Sequence, residues 1–269
     1  MVMSVVEAKA NVGQNFADQN QAGLYPELEG ARVLITGLEA GHGVDIARAF
    51  ADAGCRLILQ TGALDTELEI VLEVLAQSAQ DIRVSSAPIA DQDAALHFAQ
   101  DAVRAYGGID AVVNLARLDD RGLEPDAGVA EIEDRVVATL GPAFRITHVI
   151  ANRMQVTWKE GLILNIVSQG APKTPAGATL GRIARAALAG LTRQEAERWA
   201  GQAVRINAIV PASDDNCEPG AMQPGAMQPG AMQPGLSSEP EIAALALHLA
   251  SRRGRTLSGL VFDAASVTA

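Results

Sequence analysis

The sequence contains few aromatic residues, and only two cysteines and two tyrosines among its 269 residues. Cys55 and Cys217 lie far apart without CxxC spacing, which excludes a disulfide framework and a zinc knuckle. No stretch approaches the 18 apolar residues of a membrane span, and the start lacks the basic and apolar regions of a signal peptide. These absences predict a cytoplasmic protein with no metal site and no membrane association.

Positive charge is also scarce, with 21 Lys and Arg residues against 32 Asp and Glu and a net charge of -11. Such a surface repels phosphate backbones, so nucleic acid and anionic membranes are not expected as partners. A hydrophobic content of 48% suits one large α/β domain with a buried core.

Apolar β-branched runs alternate with segments of helical periodicity from residue 30 onward, after a polar arm at 1–29 that we expect to be flexible. The predicted strands are 32–36, 56–60, 82–84, 109–114, 162–167, 204–210 and 257–262. The predicted helices are 44–53, 67–76, 91–106, 128–153, 177–201 and 240–250. This alternation predicts an α/β fold with a doubly wound, Rossmann-type parallel sheet of about seven strands, in a single domain over 30–269.

One segment interrupts the alternation, since Pro219 to Gln233 repeats PGAMQ three times. Proline and glycine at every fifth residue exclude a helix or a strand, so 212–238 is interpreted as a low-complexity loop insertion. It is either a solvated duplication or a lid whose methionines cover an apolar ligand or partner surface.

A glycine-rich turn, Thr36-Gly37-Leu38-Glu39-Ala40-Gly41-His42-Gly43, joins the first main strand to the first helix. Glycines here permit a tight turn and close approach of the backbone to a pyrophosphate at the helix N-terminus. They could instead serve only helix–strand packing. We assign Thr36, Gly37, Gly41, His42 and Gly43 as candidate cofactor-binding residues, His42 being either a phosphate contact or an exposed bystander.

This TGxxxGxG turn resembles the dinucleotide fingerprint of short-chain dehydrogenases/reductases. Three further segments, GIDAVVN ending at Asn114, GLILNIVS ending at Ser168 and VRINAIVP ending at Pro211, resemble that family's later strands in the same order, as does LSGLVFD at 257–263. The resemblance implies NAD or NADP as cofactor, Asn114 as a further cofactor-binding residue, and hydride transfer between nicotinamide and a carbonyl or alcohol.

The family's catalytic set is only partly present. Ser168 matches its serine, but Gly181 stands at the tyrosine position, Arg185 at the lysine position and Thr139 at the asparagine position. A guanidinium does not lose its proton in proteins, so Arg185 cannot relay one as lysine does. Tyr25 and Tyr106, the two tyrosines present, are predicted to lie in the arm and at the opposite edge of the sheet.

The cofactor side departs from the family as well. Arg117 replaces a glycine after the fourth strand, Gln60 stands where a ribose-binding acid is expected, and Pro88 replaces an adenine-contacting aspartate. Ala212 replaces the glycine of a Pro-Gly turn, and Asp214 and Asp215 follow it as carboxylates that either face the crevice or are solvated.

Two functions follow from this pattern, with a third kept open. The first is a catalytically degenerate subunit with a structural or regulatory role, in a homo-oligomer or in a hetero-oligomer with an active relative. The second is an active NAD(P)-dependent oxidoreductase with a non-standard site, in which Ser168 holds the carbonyl and Arg185 or Lys173 supplies charge; Arg182 with Arg185 would then bind an anionic substrate. The third is a module that binds a nucleotide or acyl ligand without reaction.

Overall fold

The computed structural model describes residues 4–5, 24–157, 159–211 and 238–263. Their strands form one sheet in the order β1-β4-β3-β2-β5-β6-β7-β8. The seven strands from β2 onward pair in parallel, while the short β1 pairs antiparallel with β4 at the edge. The strands are β1 (Ser4–Val5), β2 (Arg32–Thr36), β3 (Arg56–Gln60), β4 (Asp81–Ser85), β5 (Ala111–Leu118), β6 (Gly161–Gln169), β7 (Val204–Val210) and β8 (Val261–Asp263). This confirms the predicted doubly wound α/β sheet.

Within the described ranges, six α-helices cover the two faces of the sheet. They are α1 (Val44–Asp52), α2 (Thr66–Ser78), α3 (Gln92–Ala105), α4 (Val129–Val156), α5 (Pro175–Trp199) and α6 (Glu239–Ala250). Helix α1 packs against α2 and α6 on one face, and α4 packs between α3 and α5 on the other. The N-termini of α2, α3 and α5 are capped by the side chains of Asp65, Asp91 and Thr174. Each side chain accepts a hydrogen bond from the backbone N–H three residues later.

The central strand β2 shows why short apolar runs become strands here. Val33, Leu34 and Ile35 are all fully buried, because both faces of the sheet carry helices. Val33 and Ile35 belong to the core that contains Phe50 of α1, whereas Leu34 joins the core that contains Phe98 of α3. Alternate side chains of one strand thus supply two hydrophobic layers.

The order of the strands reverses at β2, which lies between β3 and β5. Helices leaving β2 and β5 therefore go to opposite faces, and the loops after the two strands diverge to leave a crevice. In open α/β sheets, ligands bind in such a crevice at the carboxyl ends of the strands. Thr36 and Asn114 are paired in register at this end.

Two predicted strands were placed imperfectly. β5 runs on to Leu118 because its last residues pair with β6 as far as Gln169. β8 begins only at Val261, since Gly259 has a φ of +76° and the N–H of Leu260 bonds to the side chain of Asn207.

The domain boundaries of the sequence prediction fall largely outside the described residues. This applies to most of the arm at 1–29, to the insertion up to residue 237, and to Cys217, Ala212, Asp214 and Asp215. Ser238, the last residue of the predicted insertion, is the N-cap of α6. Among the described helices, none combines the length and the apolar character needed to cross a bilayer.

Candidate functional site at the carboxyl edge of the sheet

The glycine turn is shaped by close contact with β5. Gly37 and Gly43 have positive φ angles of +73° and +84°. A Cβ on Gly37 would overlap the carbonyl oxygen of Leu115, and one on Gly43 would overlap the Leu115 side chain. Gly41, in contrast, faces open space. The turn therefore needs glycine at its first and last positions to fit against Leu115.

The first N–H of the turn is taken by the chain itself. Gln60, at the end of β3, is 3% exposed, and its Oε1 accepts the Gly37 N–H at 2.8 Å. Its Nε2 donates to the carbonyl of Ala87 at 2.9 Å. Both ends of the amide are thus engaged within the protein, at the position where the family resemblance places a ribose-binding acid.

The N-terminus of α1 is also occupied by the chain itself. Glu239, the first residue of α6, accepts the Gly43 N–H at 2.9 Å and lies 3.5 Å from Nδ1 of His42. Burial raises the pKa of Glu239, but His42 and the backbone N–H groups of Gly43 and Asp45 outweigh that effect, so its pKa lies below the ordinary value. An ionised carboxylate therefore sits at the positive end of the helix.

This arrangement does not fit a dinucleotide. A pyrophosphate at this terminus would compete with Gln60 and Glu239 for the N–H groups of Gly37 and Gly43, and it would meet the negative charge of Glu239. The predicted cofactor residues Gly37, His42 and Gly43 are indeed brought together at the crevice. Their hydrogen-bonding groups, however, are already used.

Thr36 and Asn114 are turned into the core rather than the crevice. Asn114 is 1% exposed; its Oδ1 accepts from the Thr36 hydroxyl at 3.1 Å, and its Nδ2 donates to Oδ1 of Asn165 at 2.8 Å. The network links β2, β5 and β6. Both residues thus hold the strands in register at the site.

Ser168 lies near the end of β6, facing the glycine turn. Its Oγ is 3.4 Å from Nε2 of His42, and both line a cavity of about 200 Å³ together with Arg117 and Glu239. Arg117 is paired in register with Ser168 on the adjacent strand. The predicted serine thus meets a histidine that the sequence analysis interpreted either as a phosphate contact or as an exposed bystander.

The place of the missing tyrosine is filled. Gly181 of α5 is buried, and a Cβ there would overlap the amide oxygen of Gln169. The Gln169 Nε2 donates to the carbonyl of Gly177 at 2.9 Å, which fixes the amide against α5. About 20 Å³ of cavity remains beside Gly181, so no room is left for a phenol ring.

The side chains at the other predicted positions either bond to other groups of the protein or are exposed. Arg185 pairs with Asp263 of β8 at 3.3 Å, and the Thr139 hydroxyl donates back to the carbonyl of Arg135 in its own helix. Lys173 and Arg182 are exposed, and Arg182 bonds to Thr179 rather than to Arg185. The structure therefore does not assemble Arg182 and Arg185 into one anion site.

Tyr106 lies at the opposite edge of the sheet, as expected. Its hydroxyl donates to the carbonyl of Leu57 at 3.3 Å, and the Arg83 guanidinium stacks on its ring. Burial, together with a hydrogen bond that the Asp81 carboxylate accepts from the hydroxyl, raises the pKa of this phenol well above its ordinary value. It cannot replace the missing acid–base group.

Two residues of the site escaped the sequence analysis. Glu239 is 196 positions from Gly43 and belongs to no motif, so no spacing rule could bring it to the turn. Gln169 directly follows Ser168, and the loss of a side chain at position 181 was the available sign that another side chain fills that space.

Comparison with known proteins places the chain among oxidoreductases. Residues 31–215 match the family model for short chain dehydrogenase. Similar sequences include the probable galactose dehydrogenase of Rhizobium meliloti, 29% identical over 70% of this chain and 73% of the relative. The L-tagatose-forming galactitol 2-dehydrogenase of Cereibacter sphaeroides is 31% identical over 68% and 71%. A short-chain type dehydrogenase/reductase from Mycobacterium marinum superposes with a TM-score of 0.71, covering 90% of this chain and 97% of that one at 21% identity.

Proposed function

Because the chain belongs to the short-chain dehydrogenase family, we propose that it is a member that does not transfer hydride and acts as a structural or regulatory subunit of an oligomer. The observation that carries the proposal is the Glu239 carboxylate on the N-terminus of α1, in contact with Gly43 and His42. The family typically binds NAD or NADP there; in this chain its own α6 supplies the anion.

The residues at the family's tyrosine and lysine positions support the same proposal. Gln169 fills the space beside Gly181, and Arg185 is paired with Asp263. Removing a positioned acid–base group costs roughly 100- to 10,000-fold in rate. The alternative, an active oxidoreductase using Ser168 with Arg185 or Lys173, would have to break the Arg185 pair or bring in an exposed lysine.

Titration calorimetry with NADH and NADPH tests the cofactor half of the proposal. The wild-type chain is expected to give no binding heat, whereas Glu239→Ala, which frees the Gly43 N–H and removes the charge, is expected to bind measurably. Glu73→Ala on the exposed side of α2 is the matched control and should behave as wild type. Tight binding by the wild type, or hydride transfer to a carbonyl or from an alcohol, would contradict the proposal.

An apolar groove between α4 and α5 supports the oligomeric half. It has a volume of about 370 Å³, and its apolar lining includes Val136, Val137, Leu140, Phe144 and Leu191. Val137 is 59% exposed. Exposed apolar surface of this kind is typical of protein–protein contacts, and we assign it to a second copy of the chain or to an active relative.

Sedimentation velocity tests that assignment. Val137→Asp is expected to shift the chain, alone or mixed with a co-expressed relative, toward the monomer because it places a charge in the groove. Val74→Asp changes a comparably apolar, exposed residue on α2, across the sheet, and should leave assembly unchanged. A monomeric wild type that captures no relative on co-purification would refute the subunit role.

A further inference from the structure

The imidazole of His42 lies between a hydroxyl and a carboxylate. Its Nε2 is 3.4 Å from Ser168 Oγ, and its Nδ1 is 3.5 Å from Glu239 Oε1. The three side chains come from the end of β6, the glycine turn and the start of α6. The His42 side chain is 14% exposed, so the protein holds the ring between its two partners.

The chemistry of the three groups fixes where the protons lie. A carboxylate can only accept, so the nitrogen facing Glu239 carries the hydrogen when the ring is neutral. Nε2 then has a lone pair directed at Ser168, which acts as the donor. This is the order of nucleophile, base and orienting acid found in serine hydrolases, and such triads are recognised by geometry rather than by fold.

A positive charge lies beside this serine. Arg117 and Ser168 are paired in register on adjacent parallel strands, so their side chains leave the same face of the sheet, and both line the cavity. No carboxylate within the described ranges forms an ion pair with Arg117. A cation at this position can stabilise the negative charge that develops on a carbonyl oxygen under attack.

The other residues that line the cavity limit the size and polarity of a ligand. Ile46, Ile166 and Ile242 supply apolar walls, and the volume of about 200 Å³ suits a short acyl group rather than a dinucleotide. A structural cap on α1 would require Glu239 alone. It would not require a histidine whose second nitrogen faces a serine inside a cavity.

We propose that Ser168, His42 and Glu239 form an acyl-transfer site that hydrolyses short-chain esters. Ser168 Oγ attacks the ester carbonyl carbon while its proton passes to His42 Nε2; the C–O bond to the alcohol breaks, and the alcohol leaves with that proton. Water then attacks the acyl-serine ester and gives a proton to His42. The carboxylic acid departs as Ser168 regains its proton, so no oxidant, reductant or cofactor is consumed.

This proposal goes beyond the subunit role and is independent of it. The subunit role is tested by the absence of dinucleotide binding and by assembly, whereas the acyl-transfer site is tested by a covalent event at one oxygen atom. A chain that binds no NADH can still be acylated at Ser168, and a chain that binds NADH need not be.

The test uses the full chain, a biotinylated alkyl fluorophosphonate and p-nitrophenyl acetate. The wild type is expected to gain one phosphonyl group per chain, mapped to Ser168 by peptide mass spectrometry, and to hydrolyse the acetate. Ser168→Ala should abolish both reactions. His42→Gln should slow both by about 100-fold or more, because the general base is lost.

Matched controls are a serine and a histidine on exposed helix faces away from the crevice. Ser78→Ala and His97→Gln should react at the wild-type rate. Because mapping of the wild-type adduct needs no variant, the test stands even where a variant fails to fold. Absence of labelling or hydrolysis in the wild type, an adduct elsewhere than Ser168, or full reactivity of a folded His42→Gln would each overturn the proposal.

Discussion

The two halves of the crevice have departed from the family pattern in different ways. In the cofactor half, polar groups of the chain stand where polar groups of a cofactor are expected: Gln60 accepts from Gly37 and Glu239 accepts from Gly43. In the half beside α5, the space for the tyrosine is filled by the Gln169 side chain against Gly181.

This difference bears on which of the two departures from the family pattern a single substitution can reverse. Hydrogen bonds at a helix terminus can be exchanged for those of a ligand, and moving one side chain is enough to release them. A filled space must be emptied before a larger side chain can enter, since protein interiors are closely packed. Under the proposed function, we therefore expect single substitutions to confer dinucleotide binding more readily than hydride transfer.

The largest expected effect is that of restoring the tyrosine. Gly181→Tyr should lower the free energy of unfolding by about 1–3 kcal/mol, because the ring must displace Gln169 and break its bond to Gly177. Urea unfolding measures the loss. We expect no gain in hydride transfer.

Two comparisons test the steric explanation. Gly190→Tyr lies on the same helix, where a Cβ meets nothing within 4 Å, and should be tolerated. The double variant Gln169→Ala with Gly181→Tyr should recover part of the lost stability, since its two changes are coupled. Additive losses would contradict the model of a filled site.

The fold was predictable because its signals are local. The run Val33-Leu34-Ile35 predicts a strand buried on both faces, and the glycine turn predicts where the crevice opens. The absence of tyrosine at position 181 and of lysine at 185 could also be read directly from the sequence.

What fills the crevice could not be predicted in the same way. The contact of Glu239 with Gly43 joins residues 196 positions apart, and the pairing of His42 with Ser168 joins residues 126 apart. The first contact depends on the packing of α6 beside α1, and the second depends on the end of β6 lying beside the glycine turn. One sequence carries no pattern for either contact. The engagement of both ends of the Gln60 amide is likewise a result of tertiary structure.

The next effect in size concerns the cofactor half. Gln60→Leu should lower the free energy of unfolding by about 2 kcal/mol, since it leaves the Gly37 N–H and the Ala87 carbonyl without their partner in a buried place. The shift of the urea midpoint measures this loss.

Two further variants test whether the lost hydrogen bonds of the amide cause the expected destabilisation. Gln60→Glu keeps an acceptor for the Gly37 N–H but loses the donor to the Ala87 carbonyl. We therefore expect its stability to lie between those of the wild type and Gln60→Leu. Gln77→Leu, at an exposed position of α2, should be close to neutral. If Gln60→Leu were as stable as wild type, the amide would not be what holds the turn.

The smallest expected effect has a distinctive pH dependence. The folded protein holds the pKa of Glu239 below its ordinary value of 4.5, so its charge stabilises the fold fully at pH values above about 4.5. That contribution is lost as the pH falls through the lower pKa of the folded state. Glu239→Gln should therefore be less stable by roughly 0.5–1 kcal/mol at pH 7, the value of a charge at a helix N-terminus, and equal to wild type in acid. Thermal unfolding from pH 3 to 7 measures the difference in stability between the two proteins, with Glu73→Gln as the exposed control. A difference that does not change with pH would show that the carboxylate charge does not stabilise α1.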